Sequence, residues 1–176
     1  MEIRRVAVVG SGTMGNGIAH VCAVAGLDVR LVDVARDALD RALATIGTNM
    51  ERQVKKGTLD ASASAKALAR IATGTDPAAA AAAADLVIEA VPERAEMKYE
   101  LFRTLDGAAP PGAILASNTS SISITEIAAR TARPDRVIGM HFMNPVPVME
   151  LVEVIRGLAT SDETTAAVIA LAERLG

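Results

Sequence analysis

"VAVVGSGTMGNGIA", residues 6–19, decides the reading of the fold. A Val-rich run ends at Gly10, and Gly10, Gly12 and Gly15 then form G-x-G-x-x-G where a helical pattern opens. Each glycine has its own mechanical task there: a tight turn, a backbone that a pyrophosphate can approach, and close packing of helix on strand. Ser11, Thr13 and Met14 complete the turn. The free N–H groups and positive dipole end of such a helix face phosphate oxygens. The glycines alone are a weak signal. They gain weight from Asp33, which closes the next apolar run at about the 20-residue distance expected of a ribose-binding carboxylate. A carboxylate there accepts hydrogen bonds from ribose hydroxyls and repels a 2′-phosphate, so NAD is the expected cofactor, with Arg36 as the one contrary feature. The competing reading is a plain glycine turn followed by a solvated Asp.

Outward from this turn, short Val- and Ile-rich runs alternate with longer stretches of helical spacing. Strands are predicted at residues 3–9, 28–33, 70–74, 85–91, 113–118 and 136–142, with a seventh at 149–155. Helices are predicted over about 14–25, stopped by Gly26, and over 36–56, stopped near Gly57. Asp76 followed by Pro77 opens another, "SITE" at 123–126 has the capping-box form, and a last helix covers 162–175. This rhythm predicts an α/β, Rossmann-like, doubly wound fold: a mostly parallel sheet with helices on both faces. Residues 1–176 are expected to form one NAD-binding domain. The alanine run after Asp76 reads as ordinary helix, and there is no internal repeat.

Composition narrows the partners. The chain is 51% hydrophobic with a net charge of -3, and it has no Trp, one Tyr and two Phe. It lacks both the basic excess that neutralises phosphates and the aromatic platforms that stack bases, so nucleic acid is not an expected partner. Met1 is followed directly by "EIRRVAVVG", with neither a signal peptide nor a spanning segment in view. The single cysteine, Cys22, has no internal disulfide partner and reads as a small buried helix residue. A cytoplasmic protein is therefore expected.

Hydride transfer from an alcohol needs a group that takes the hydroxyl proton, and histidine suits that task near neutral pH. "GMHFMNP", residues 139–145, holds one of only two histidines, His141, at the carboxyl end of a predicted parallel strand, the edge where open α/β sheets hold ligands. Glu153 in "LVEVI" is a charge in an otherwise apolar strand, and a buried carboxylate needs a partner. Pairing the two would fix the imidazole tautomer. A lone histidine in an apolar strand is otherwise a core residue.

At this point the chain resembles the L-3-hydroxyacyl-CoA dehydrogenases, the group that includes bacterial 3-hydroxybutyryl-CoA dehydrogenases. The glycine motif, "DLVIEAVPE" followed by Lys98, "ASNTSSISI", "HFMNPVPVMELVEV" and the basic "RQVKKG" all match. The resemblance implies that His141 is the acid/base, Glu153 its orienting partner and Ser117 a hydrogen-bond donor to the substrate oxygen. It also implies that Asn144 contacts the nicotinamide end, that Glu93 and Lys98 line the cofactor cleft, and that Lys56 and Asn49 meet an acyl-CoA substrate. His20 matches no catalytic position and reads as structural.

The implied reaction is reversible oxidation of an L-3-hydroxyacyl-CoA by NAD to the 3-ketoacyl-CoA. The family continues into a second, helical domain that mediates dimerisation and covers the acyl-CoA. This chain is expected to be the N-terminal half, with the C-terminal helical domain absent, and to self-associate or take that domain from elsewhere. Two other classes compete: a dinucleotide-binding module without activity, and a structural protein on the same fold. Within the enzymes, a dehydrogenase of free hydroxy acids is the alternative.

Overall fold

Parallel strands covered on both faces require near-continuous apolar runs. The computed structural model, which describes residues 2–176, places such runs at the centre of its sheet. In chain order the strands are β1 (Arg5–Val9), β2 (Asp28–Val32), β3 (Ile71–Gly74), β4 (Leu86–Glu89), β5 (Ile114–Ser117), β6 (Val137–Phe142) and β7 (Val152–Arg156). The helices are α1 (Thr13–Val24), α2 (Arg36–Lys56), α3 (Ala61–Ala69), α4 (Pro77–Ala81), α5 (Ala95–Ala108), α6 (Ile124–Ala128) and α7 (Asp162–Leu175). The sheet runs β3-β2-β1-β4-β5-β6-β7, with β1 to β6 parallel and β7 antiparallel to β6. Every residue of β4 and β5 is buried.

Two apolar layers hold helices to the two faces. Ile18, Cys22, Leu39, Ile46 and Leu171 of α1, α2 and α7 pack with alternate residues of the strands on one side. Phe102, Leu105 and Ile127 of α5 and α6 close the other. The mostly parallel, doubly wound sheet expected from the sequence is therefore what forms. The strand order reverses between β1 and β4, so the crevice outside their carboxyl ends lies at the topological switch point where such sheets bind ligands.

Local departures have local causes. Residues 61–69 form a helix that the sequence reading passed over, because "ASASAKALA" presents no apolar stripe of helical period. The Asp76 carboxylate does cap α4, accepting from the N–H groups of Ala78 and Ala79 at 2.9 and 3.2 Å. That helix nevertheless ends at Ala81, since the chain must turn into β4, where Asp85 accepts the N–H groups of Arg4 and Arg5 at 3.1 and 2.9 Å. Strand β7 starts at Val152 rather than 149. Cys22 is free and fully buried, and burial pushes its thiol up to about 12, which makes it inert. Among the described residues, no helix is long and apolar enough to cross a membrane.

Candidate active site

The turn after β1 forms one wall of a cavity of about 720 Å³, shared with Asp33, Val34 and the Ala90–Pro92 segment after β4. Gly10 takes φ +101°, and a Cβ there would lie 2.5 Å from the Ala90 carbonyl oxygen, so only glycine permits this approach. A Cβ on Gly12 would meet nothing within 4 Å: it would enter the cavity itself. The N-cap of α1 is Gly12, which offers no capping side chain, and the first turn holds no acidic residue. The helix N-terminus therefore keeps free N–H donors and its positive end directed at an open cradle, which fits a pyrophosphate. Thr13 and Met14 line the same cavity, while Gly15 packs beneath, its missing Cβ leaving room for the Gly10 carbonyl.

Asp33, just after the end of β2, lines the same cavity. Burial raises its pKa, but hydrogen bonds from the Ser11 N–H at 2.9 Å and hydroxyl at 2.8 Å, and from the Ala35 N–H at 3.2 Å, outweigh it and hold the carboxyl below its ordinary value. The group is thus a fixed carboxylate.

His141 and Glu153 are direct cross-strand partners in the antiparallel register of β6 and β7. Side chains at opposed positions project to the same face, which brings imidazole Nδ1 to 2.7 Å from a Glu153 oxygen. A carboxylate only accepts, so Nδ1 carries the hydrogen, and in the neutral ring Nε2 keeps its lone pair. The imidazole lies on a second cavity, of about 340 Å³, lined also by Thr119, Ser120, Ser121, Glu153 and Ile155. One premise of the sequence reading fails: Glu153 is not buried, its side chain being 52% exposed, because β7 is the edge strand of the sheet.

Two further expectations need correction. Ser117 does not face the cavity; it is fully buried, and its hydroxyl donates to Glu89 at 2.6 Å. The seryl side chains that line the His141 cavity are Ser120, Ser121 and Ser123. The Ser121 hydroxyl donates to Glu93 and that of Ser123 accepts from the Glu126 N–H, which leaves Ser120, three residues on from Ser117, as the candidate donor. Lys98 does not line an open cleft either. Its side chain is 1% exposed and ion-paired with Glu89 at 2.6 Å and Glu93 at 3.2 Å, since the inner face of the first turn of α5 is turned toward β4. Glu93 is partly exposed and accepts from the Thr119 hydroxyl and the N–H groups of Ser120 and Ser121.

Glu89 went unread in the sequence although the signal was available. A charge closing the buried run "DLVIEAV" is the same anomaly that pointed to Glu153. Asn144 lies exposed just beyond β6. Asn49 and Lys56 lie on α2, half-buried and exposed respectively, and the structure does not bring either to the walls of the His141 cavity. His20 is buried on α1 with Nε2 at 2.9 Å from Gln53 Oε1, and burial lowers its pKa, which fits a structural, neutral imidazole.

Fold and site together define a dinucleotide-binding α/β domain with an imidazole–carboxylate pair at the same carboxyl edge of its sheet. The family model described as "3-hydroxyacyl-CoA dehydrogenase, NAD binding domain" matches residues 5–176. The chain is 52% identical over 174 residues to the 3-hydroxybutyryl-CoA dehydrogenase of Bradyrhizobium diazoefficiens, covering 99% of this chain and 59% of the relative. It is 42% identical to the human mitochondrial hydroxyacyl-coenzyme A dehydrogenase, over 99% of this chain and 57% of that protein. The crystal structure of (S)-3-hydroxybutyryl-CoA dehydrogenase from Ralstonia eutropha superposes with a TM-score of 0.96 at 52% identity, covering 99% of this chain and 62% of that one. This chain belongs to the NAD-binding domain family of the 3-hydroxyacyl-CoA dehydrogenases. It spans about three-fifths of the length of the curated relatives it matches.

Proposed function

We propose that this chain is the NAD-binding and proton-transferring unit of an enzyme that reversibly oxidises an L-3-hydroxyacyl-CoA, such as 3-hydroxybutyryl-CoA, to the 3-ketoacyl-CoA. The observation that carries the reading is the His141–Glu153 pair, 2.7 Å apart on a cavity at the same sheet edge as the glycine turn. Bound NAD supplies the hydride acceptor. His141 Nε2 takes the proton of the 3-hydroxyl as the C3–H bond is lost, and in reverse the imidazolium returns it to the oxygen. Glu153 keeps the lone pair at Nε2 and stabilises the imidazolium. Ser120, which lines the His141 cavity, donates to the substrate oxygen in place of the buried Ser117. Asp33 holds the adenosine ribose and the N-terminus of α1 the pyrophosphate, while Lys56, exposed in the last turn of α2, meets phosphates of coenzyme A with Asn49.

Exposed Val148 and Leu151 before β7 and Leu158 after it support burial of that region by a second copy or a further domain.

NADH fluorescence followed by addition of acetoacetyl-CoA tests the reading. The wild type should bind NADH and consume it, and His141→Gln should keep NADH affinity while turnover falls about 10²- to 10⁴-fold. Unchanged turnover in that variant refutes the assignment of His141. A wild type that does not bind NADH at all leaves only a structural role.

A further inference from the structure

Glu89 closes β4 in the middle of the sheet and is fully buried. A carboxylate there is costly unless it is paired and hydrogen-bonded, and each of its bonds leads toward one of the two cavities. Oε1 accepts from the Val91 N–H at 2.7 Å and from the Lys98 ammonium at 2.6 Å. Val91 is part of the dinucleotide-cavity wall. Oε2 accepts from the Ser117 hydroxyl at 2.6 Å, at the point where β5 runs into the loop of the other cavity. The remaining Lys98 donors reach Glu93 Oε2 at 3.2 Å and the Val91 carbonyl at 3.4 Å.

Glu93 carries the chain of bonds onward. Its Oε1 accepts from the Thr119 hydroxyl, from the N–H groups of Ser120 and Ser121 at 3.1 and 3.2 Å, and from the Ser121 hydroxyl at 3.2 Å. Those three residues line the cavity of His141. The same loop is tied to β6 through Asn118, whose Oδ1 accepts the Phe142 N–H at 2.8 Å, one residue past the imidazole. An apolar trio at residues 89, 98 and 117 would join the strands to α5 at least as firmly. What it could not do is fix the direction of loop amides, because dispersion contacts carry no orientation and charge-assisted hydrogen bonds do.

We infer that Glu89 is a positioning residue: through Lys98 and Glu93 on one side and Ser117 on the other, it holds the Thr119–Ser121 wall of the His141 cavity in register with the Ala90–Pro92 wall of the dinucleotide cavity. The inference rests on the proposed reading of those cavities as the places of substrate and cofactor. It predicts a defect in turnover more than in cofactor affinity. Glu89 makes no bond to the glycine turn or to Asp33, whereas the loop wall sets where the reacting carbon stands relative to the imidazole.

The test is Glu89→Gln, which keeps the shape and removes the charge. Turnover of acetoacetyl-CoA is measured per NADH-titrated site, so that loss of folded molecules does not count as loss of rate. About a 10- to 100-fold fall in kcat is expected, the scale of a misplacement near 1 Å, with the NADH Kd within about threefold of wild type. Amide hydrogen exchange at Ser120 and Ser121 should quicken while that of β6 stays as it was. A kcat per site within twofold of wild type overturns the inference, whatever happens to thermal stability. If Glu89→Gln does not fold, Ser117→Ala removes one hydroxyl–carboxylate hydrogen bond and spares the ion pairs. A severalfold fall in kcat with faster exchange of the same two amides supports the inference, and wild-type values for both overturn it. Failure of the reading beneath has a different signature: a wild type inert toward acetoacetyl-CoA, or a fully active His141→Gln. Even then, the amide exchange still decides whether Glu89 holds the loop.

Discussion

Glu153 and Glu89 both lie near the carboxyl edge of the parallel sheet, and their surroundings are opposite. Glu153 sits on the antiparallel edge strand, 52% exposed, and bonds to the one imidazole across from it. Glu89 sits on a central parallel strand, 0% exposed, and accepts from a backbone N–H, an ammonium and a hydroxyl. The contrast separates two tasks that a carboxylate can perform. A partner to a proton carrier has to tolerate both charge states of its neighbour, and contact with water makes either state affordable in free energy. A group that fixes geometry has to keep one set of bonds, and burial among donors enforces that.

The widest gap should appear in stability. Glu89→Ala strands the Lys98 ammonium in the core with Glu93 alone, and breaking a buried pair in this way costs about 3–5 kcal/mol. Glu153→Ala removes an exposed partner and should cost no more than about 1 kcal/mol. Urea unfolding of the two variants side by side measures the difference. Equal losses would dissolve the distinction between the two sites.

Activity should sharpen the comparison from the other side. Glu153→Gln leaves a carbonyl oxygen that accepts from Nδ1–H but no charge to stabilise the imidazolium. Turnover should fall by about 10²-fold while the midpoint of unfolding stays close to wild type. Steady-state rates with acetoacetyl-CoA over a range of pH give the measurement. A variant as active as wild type would show that the 2.7 Å contact does not serve proton transfer.

The sequence made these regions legible to different degrees. The glycine turn, Asp33 and the strand–helix rhythm were readable because each leaves a local trace: glycine spacing, a carboxylate closing an apolar run, Val and Ile clusters. The pairing of His141 with Glu153 was also readable, though the argument for it assumed burial, and the observed cause is the cross-strand register on an exposed edge. The Glu89–Lys98–Glu93 chain was missed because it is assembled by β4, α5 and the loop after β5, and no spacing within one segment reveals such a juxtaposition. The inward turn of Ser117 onto Glu89 was hidden for a related reason. "SNTSS" presents three seryl hydroxyls, and which of them line the cavity depends on where β5 ends, a boundary that sequence patterns locate poorly.

Glu93 falls between the two extremes and yields the smallest effect, in acid. Its side chain is 36% exposed, yet its carboxyl is lowered from an ordinary 4.5 to about 2. Burial alone would raise it; the Thr119 hydroxyl, the Lys98 charge and the Ser120 N–H pull it down more strongly. A carboxyl lowered on folding contributes stability that is complete above its unfolded value and is lost as pH falls from about 4.5 toward about 2. In Glu93→Gln that part of the acid dependence should vanish, so urea midpoints of variant and wild type, separated at pH 7, should converge as pH is lowered through this window. Curves that stay parallel would show that the loop donors do not hold the carboxylate in solution. Convergence would place Glu93 with Glu89, as a carboxylate governed by its donors rather than by its access to water.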